Sequence, residues 1–365
     1  MTQTRYVFII VVFIILFITP CNAQYIYTER DFTSDTLSKE QVDIVIQNTK
    51  QSAIVGLGEA DHLRGTFYRI KSQLVRELIL QNDFDLLLFE ADLNTCFQLN
   101  KYVKGDSTIH IEPLLKEMNA TNNYILYNMY NTPEIVSLIN WIKVYNTSHN
   151  NTISIAGIDF QNPSRLGNMI GNYLPPNLRT ELADAVNIYS KFYHGYMDYK
   201  NIFRIYTKDS LKTQAAKAAE QIQHINTYLS NNTDKWLQTN LASLTCMSGF
   251  FTDPNGLILR DTAMYNNLCY HITTQKSIVW AATQHLQEGQ VINNHYWMGT
   301  YIRKKWGQQF CNIGVYGTLD CLPASVKNNR IGLELQIKDK SCLPNNNESI
   351  IISVKAKEIP YATVL

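Results

Sequence analysis

Hydrophobic positions along the chain fall into two alternating patterns. Short apolar runs at 54–57, 85–91 (DLLLFEA), 153–158 (ISIAGI), 277–281 (SIVWA) and 311–315 read as strands covered on both faces. Between them come stretches of helical spacing. Residues 66–80 carry Phe67, Ile70, Leu74, Leu78 and Ile79 on one stripe, and 133–145 turns Ile135, Leu138, Ile139 and Ile142 inward behind a Pro133 helix start. Ser38-Lys39-Glu40-Gln41 fits a capping box that opens a helix through Val42, Val45 and Ile46. The alternation predicts an α/β fold with a mostly parallel central sheet flanked by helices.

The rhythm stops at about residue 166. As far as residue 250 only helical signals occur, in blocks at 178–199, 211–229 and 234–247, which predicts an inserted helical subdomain. The α/β pattern resumes at Leu259, with a helix begun by Arg260-Asp261-Thr262-Ala263-Met264 and another begun at Met298. Alternation in Ile331, Leu333, Leu335 and Ile337, and again in Ile350, Ile352 and Val354, predicts edge or antiparallel strands in the tail.

Residues 1–23 stand apart from this pattern. Arg5, an apolar run over 8–18 and a close on Pro20-Cys21-Asn22-Ala23 read as a secretory signal peptide, too short for a membrane span of about 20 residues. The expectation is a single domain over 24–365, exported to a periplasmic or extracellular location, with no stable membrane association after cleavage. An oxidising compartment permits disulfides among the cysteines beyond Cys21, and Cys321 with Cys342 is the first pair expected, since they bracket a polar stretch. Apolar content of 45% and a net charge of +1 describe a globular chain without the basic surplus of a nucleic-acid binder.

Candidate chemistry gathers where the predicted strands end. Ile54-Val55 runs into Gly56-Leu57-Gly58, followed by Glu59 and His62 before the next helix starts. Open α/β sheets bind ligands beyond the carboxyl ends of their strands. The other strands deliver Glu90, Asp159 with Gln161, and Gln284 with His285 to the same rim. A carboxylate ending an apolar strand needs a partner, and Lys71 or a histidine is expected to serve Glu90. Each group also has a plainer reading: Glu59 and His62 as polar turn residues, Glu90 satisfied by backbone amides, Asp159 as a helix cap. No G-x-S-x-G or C-x-x-C occurs, which argues against a serine nucleophile elbow and a cysteine redox or zinc site.

The segment VGLGEADHLRGTFYRIKSQLVREL followed by LLLFEAD resembles the erythromycin esterase family, marked by a G-E-x-x-H turn, a helix and a strand ending in F-E-A. Further agreement lies in Tyr130-Asn131-Thr132-Pro133-Glu134-Ile135 with Trp141, Gly157-Ile158-Asp159-Phe160-Gln161, Arg260-Asp261-Thr262-Ala263-Met264 with Asn267, Trp280-Ala281, Met298-Gly299 with Tyr301, and Ile313-Gly314. The resemblance implies a catalytic pair at Glu59 and His62, a basic residue at Lys71 and a second carboxylate at Glu90. The family's W-A-H-N-x-H motif reads Trp280-Ala281-Ala282-Thr283-Gln284-His285 here. Its first histidine is therefore Ala282, and His285 is the one retained; His295 stands ten residues further on.

Hydrolysis of an ester or lactone bond in a small molecule is the implied activity, without metal, cofactor or covalent intermediate. His62 would take a proton from water, Glu59 would orient the imidazole, Lys71 would hold Glu90, and His285 or backbone amides would meet the oxyanion. Two alternatives stay open. Glu59, His62, Glu90 and His285 are acceptable ligands for a metal-dependent hydrolase or peptidase. Ala282 fits a ligand-binding relative that no longer turns substrate over.

Overall fold

The computed structural model describes residues 25–27, 36–60, 65–118, 130–150, 152–160, 163–197, 209–232, 234–252, 256–292, 295–317 and 349–354. Residues 1–23, where a signal peptide is expected, and His62, Gln161, the 331–337 alternation, Cys321 and Cys342 lie outside them.

The first third of the chain reads β1 (Tyr25–Tyr27), α1 (Lys39–Thr49), β2 (Ile54–Glu59), α2 (Gly65–Asn82), β3 (Leu86–Asp92), α3 (Leu93–Val103) and α4 (Ile111–Met118). After these come α5 (Pro133–Ser148), β4 (Ser154–Asp159), and the helices α6 (Pro163–Gly171), α7 (Pro176–Met197), α8 (Asp209–Tyr228) and α9 (Lys235–Thr252). The chain returns to the sheet through α10 (Gly256–His271), β5 (Ser277–Ala282), α11 (Thr283–Leu286), a β6 (Gln290–Ile292) and β7 (His295–Tyr296) hairpin, α12 (Met298–Trp306), β8 (Phe310–Gly317) and β9 (Ser349–Val354).

Seven strands form one sheet in the order β1-β9-β8-β2-β5-β3-β4, and every pairing in it is parallel. The tail departs from expectation here. β9 runs parallel between β8 and β1 and is neither antiparallel nor an edge, because β1 from the start of the chain covers its outer side. Alternation reports the faces a strand shows, not its direction or its neighbours.

Helices bury both faces of the sheet, which is why the strands are apolar throughout. Val55, Leu57, Leu87, Phe89, Ile278 and Trp280 meet α1 to α5 on one side. Ile54, Leu86, Leu88, Val279 and Ala281 meet Met264, Leu268, Met298 and Ile302 of α10 and α12 on the other. Helices α6 to α9 gather around a core of their own, with Leu182, Tyr189, Ile222, Leu237 and Leu244 inside it.

Local signals act as their chemistry dictates. The Ser38 hydroxyl and Gln41 side chain close the capping box on α1, a contribution of about 1 kcal/mol. Asp83 takes a left-handed φ of 59° and ends α2. Asp92 caps α3 by accepting from the Thr95 N–H and hydroxyl, each at 2.8 Å. Between Phe89 and Asp92 the β3–β4 register slips by one residue. There the Ala91 and Asp92 carbonyls press on Gly157, where a Cβ would lie 2.6 and 2.5 Å from them, so the irregularity requires glycine.

Candidate active site

Parallel strands put all their carboxyl ends on one edge, so β2, β3, β4 and β5 deliver Glu59, Glu90, Asp159 and the Ala282–His285 turn together. Side-chain alternation then divides the groups between the two faces. Glu59 shares a face with Val55 and Leu57 and points toward α2. Glu90 shares a face with Leu86 and Leu88 and points toward α10.

On the α2 side, Lys71 makes a fully buried ion pair with Glu59. Its Nζ lies 4.1 Å from the centre of the Trp280 ring and 3.5 Å from the Ala281 carbonyl oxygen. Tyr68 and Phe89 pack on the same indole with ring centres 5.7 and 5.6 Å away. Burial lowers the Lys71 ammonium to about 8 against the pull of Glu59 and the weaker pull of Glu90. The expected Lys71–Glu90 pair is therefore corrected to Lys71–Glu59. The reason is parity along the strands, which turns Glu59 and not Glu90 toward α2.

On the α10 side, Arg260 clamps two carboxylates. Its Nη2 donates to Glu90 Oε1 at 2.8 Å and to Asp159 Oδ2 at 2.5 Å, and its Nε reaches Asp159 at 3.1 Å. Asp159 Oδ1 also accepts the Phe160 N–H at 2.8 Å. His285 stands between carboxylates: Nδ1 faces Asp261 at 3.0 Å and Nε2 faces Glu90 at 3.2 Å. Burial of the ring opposes its protonation, but Glu90 and Asp261 outweigh that and raise His285 to about 10, making it an imidazolium at neutral pH. Asp261 is itself held by the Met298 N–H at 2.9 Å.

The two clusters meet at the end of β5. The Ala282 N–H donates to Glu90 Oε2 at 2.7 Å, and the buried Tyr130 hydroxyl donates to the Glu90 carbonyl at 2.9 Å. Gly58 lets the start of α11 close over β2, since a Cβ there would lie 2.8 Å from the Thr283 hydroxyl. Glu59, Lys71, Glu90 and His285 are thus gathered on one rim, as two linked ionic clusters. His62 follows Glu59 by three residues and lies outside the described residues, while His295 falls in β7 with its side chain undescribed.

Arg260, Asp261 and Tyr130 carry no assigned role in the sequence reading. A signal for the first two exists: an adjacent Arg-Asp pair in a helix that is otherwise apolar around Leu257, Ile258, Leu259, Ala263 and Met264. Among the described residues no group of three or more His, Cys, Asp or Glu is placed to hold a metal ion. No disulfide forms among them either, and none of their helices is long and apolar enough to cross a membrane.

The family model described as erythromycin esterase matches residues 79–319. The chain belongs to the erythromycin esterase family. The matched stretch holds Glu90, Asp159, Arg260, Asp261 and His285, while Glu59, His62 and Lys71 precede it. No curated protein matches the chain. Among solved structures, a Bacillus cereus protein is similar at 19% identity and TM-score 0.59, covering 78% of this chain and 71% of its own. A protein described as a succinoglycan biosynthesis protein is similar at 19% identity and TM-score 0.60, covering 80% and 72%. A histidine-to-asparagine variant of the erythromycin esterase EreC in an open conformation is similar at 17% identity and TM-score 0.56, covering 79% and 78%. At these identities the likeness is one of fold, and it agrees with the α/β architecture. Family membership points to hydrolase chemistry on a small-molecule substrate.

Proposed function

We propose that this erythromycin esterase family member is an exported hydrolase of ester or lactone bonds that works through an activated water, without metal or covalent intermediate. The observation that carries the reading is the gathering of Glu59–Lys71 and Glu90–Arg260–His285 beyond the ends of adjacent parallel strands. In this scheme His62 takes the proton of a water that attacks the carbonyl carbon, and returns it to the leaving oxygen as the tetrahedral intermediate collapses. Among the described residues of the rim, four carboxylates (Glu59, Glu90, Asp159, Asp261) face three cations (Lys71, Arg260, His285).

The role of His285 follows from its neighbours. With Nδ1 on Asp261 and Nε2 on Glu90, it acts by position and by charge, so the oxyanion falls to Arg260, one-fifth exposed. Export rests on the leader at 1–23 and directs the mature protein to the periplasm or the outside of the cell.

A second reading, binding without turnover, draws on one observation: Ala282 presents a methyl group where the family pattern has an imidazole. Both readings meet one experiment. Mature protein and His62→Ala are assayed on macrolides, simple esters and lactones, with and without chelator. Hydrolysis that survives chelator and disappears in His62→Ala is the expected outcome. Activity retained by His62→Ala overturns the mechanism, activity lost to chelator restores a metal, and a ligand bound intact favours the binding reading.

A further inference from the structure

A cavity of about 630 Å³ lies away from the rim, between the sheet edge and the helices that follow β4. Its floor is Leu86 with Ser154, Ile155 and Ala156, the opening residues of β3 and β4, whereas Glu90 and Asp159 lie near the far ends of those strands. Five residues of strand separate Ser154 from Asp159, about 16 Å. α3, α6, α9 and the last turn of α10 supply the walls. The volume falls within the range of about 300–1,000 Å³ typical of small-molecule sites.

The walls specify a chemistry. Among the described residues no Lys, Arg, Asp or Glu lines the cavity, so an anionic ligand would enter without a counter-charge there. His271, the lining group nearest to ionising, is held neutral because burial lowers it to about 4. Three aromatic rings cluster in the wall: Trp236 has Tyr173 and Phe97 beside it, with ring centres 6.0 and 6.5 Å away, and both neighbours are exposed at 42% and 37%. Large rings left open to water around a concave, uncharged space suit a flat apolar guest.

Two of the lining residues carry a buried polar atom without a partner. Asn240 is fully buried; its Nδ2 donates to the Trp236 carbonyl at 2.7 Å, while its Oδ1 has no partner. His271 Nε2 is likewise buried without a partner. A buried acceptor left unmatched costs about 1–3 kcal/mol in general, and a ligand that brings a donor relieves it.

We propose that this cavity is a second binding site, separate from the hydrolytic rim, for an uncharged aromatic molecule that carries a hydroxyl or ring N–H donor. Trp236, Phe97 and Tyr173 stack on the guest's rings, and the Asn240 amide oxygen receives its donor.

Titration calorimetry of the full chain with indole, with indene (the same shape without the N–H) and with benzoate tests the proposal. Indole is expected to bind, with indene weaker by roughly tenfold for the lost hydrogen bond and benzoate not binding. Phe97→Ala, a substitution at an exposed position, is expected to weaken indole roughly fivefold while leaving the thermal midpoint close to that of the parent chain. Asn240→Leu should erase the preference for indole over indene. No indole binding at about 1 mM, equal affinity for indole and indene, binding of benzoate as tight as indole, or indole binding indifferent to Phe97→Ala would each overturn it.

Discussion

Ala282 is the register partner of Glu59 across β2 and β5, so the methyl group that stands for the family's missing histidine lies beside the rim's most deeply buried carboxylate–ammonium pair. The same residue gives its N–H to Glu90. One alanine therefore touches both ionic clusters, through its strand neighbour on one side and its backbone on the other.

Restoring the imidazole is the first test of what that alanine does. Ala282→His places a donor and base next to Glu59 at a half-buried position. Ester hydrolysis should rise by about 100-fold, the lower end of what a positioned acid–base group contributes. Initial rates on the best substrate of the ester panel measure it. An unchanged rate would show that position 282 is outside the chemistry.

Lys71 and Glu59 predict a large stability effect. Both are buried, and removing one partner leaves the other charge without compensation, a loss of about 3–5 kcal/mol. Lys71→Met should therefore lower the urea midpoint sharply, and Lys71→Met with Glu59→Gln should recover part of the loss. If the double variant is as unstable as the sum of the two single changes, the pair is not coupled.

His285 makes stability fall with alkali. Its folded value of about 10 lies above the unfolded 6.5, so its stabilisation is complete below about 6.5 and is lost as pH climbs to about 10. Lys71 works the other way. Its folded value of about 8 is below 10.5, so the unfolded chain holds more protons between them and this group's share of stability rises there. Comparing urea midpoints of the parent chain and His285→Gln at about pH 6, 8 and 10 separates the two. The gap between the proteins should shrink as pH rises, and a gap that stays constant would falsify the imidazolium assignment.

Arg260→Lys keeps the charge and loses the fork. Arg260 bridges Glu90 and Asp159 with separate N–H groups, which a single ammonium cannot reproduce. Each charge-assisted hydrogen bond lost is worth roughly 1.5–3 kcal/mol, so thermal stability should drop by several degrees. Hydrolysis should fall with it, through kcat more than KM, because Glu90 is freed to move. An unchanged thermal midpoint would mean the clamp carries no load.

Much of the fold was legible because burial on both faces leaves an unbroken apolar run, and a single-sided helix leaves a stripe. The runs at 54–57, 85–91, 153–158, 277–281 and 311–315 all became strands of the sheet, and the helical blocks at 178–199, 211–229 and 234–247 became α7, α8 and α9. The tail was misread because alternation in Ile350, Ile352 and Val354 says nothing of direction, and only β1 and β8 on its flanks make β9 an internal parallel strand.

The pattern along the chain put the carboxylates Glu59, Glu90 and Asp159 and the imidazole of His285 where buried strands end. It also settled that they share a rim, since parallel strands end on one edge. Their partners were left to the tertiary structure. Whether Lys71 meets Glu59 or Glu90 depends on which strand face turns toward α2, and Arg260 reaches Asp159 across 101 residues of chain. Pairing of buried charges is a property of packing in three dimensions, where desolvation makes each charge take the nearest opposite one, and no local pattern encodes that distance.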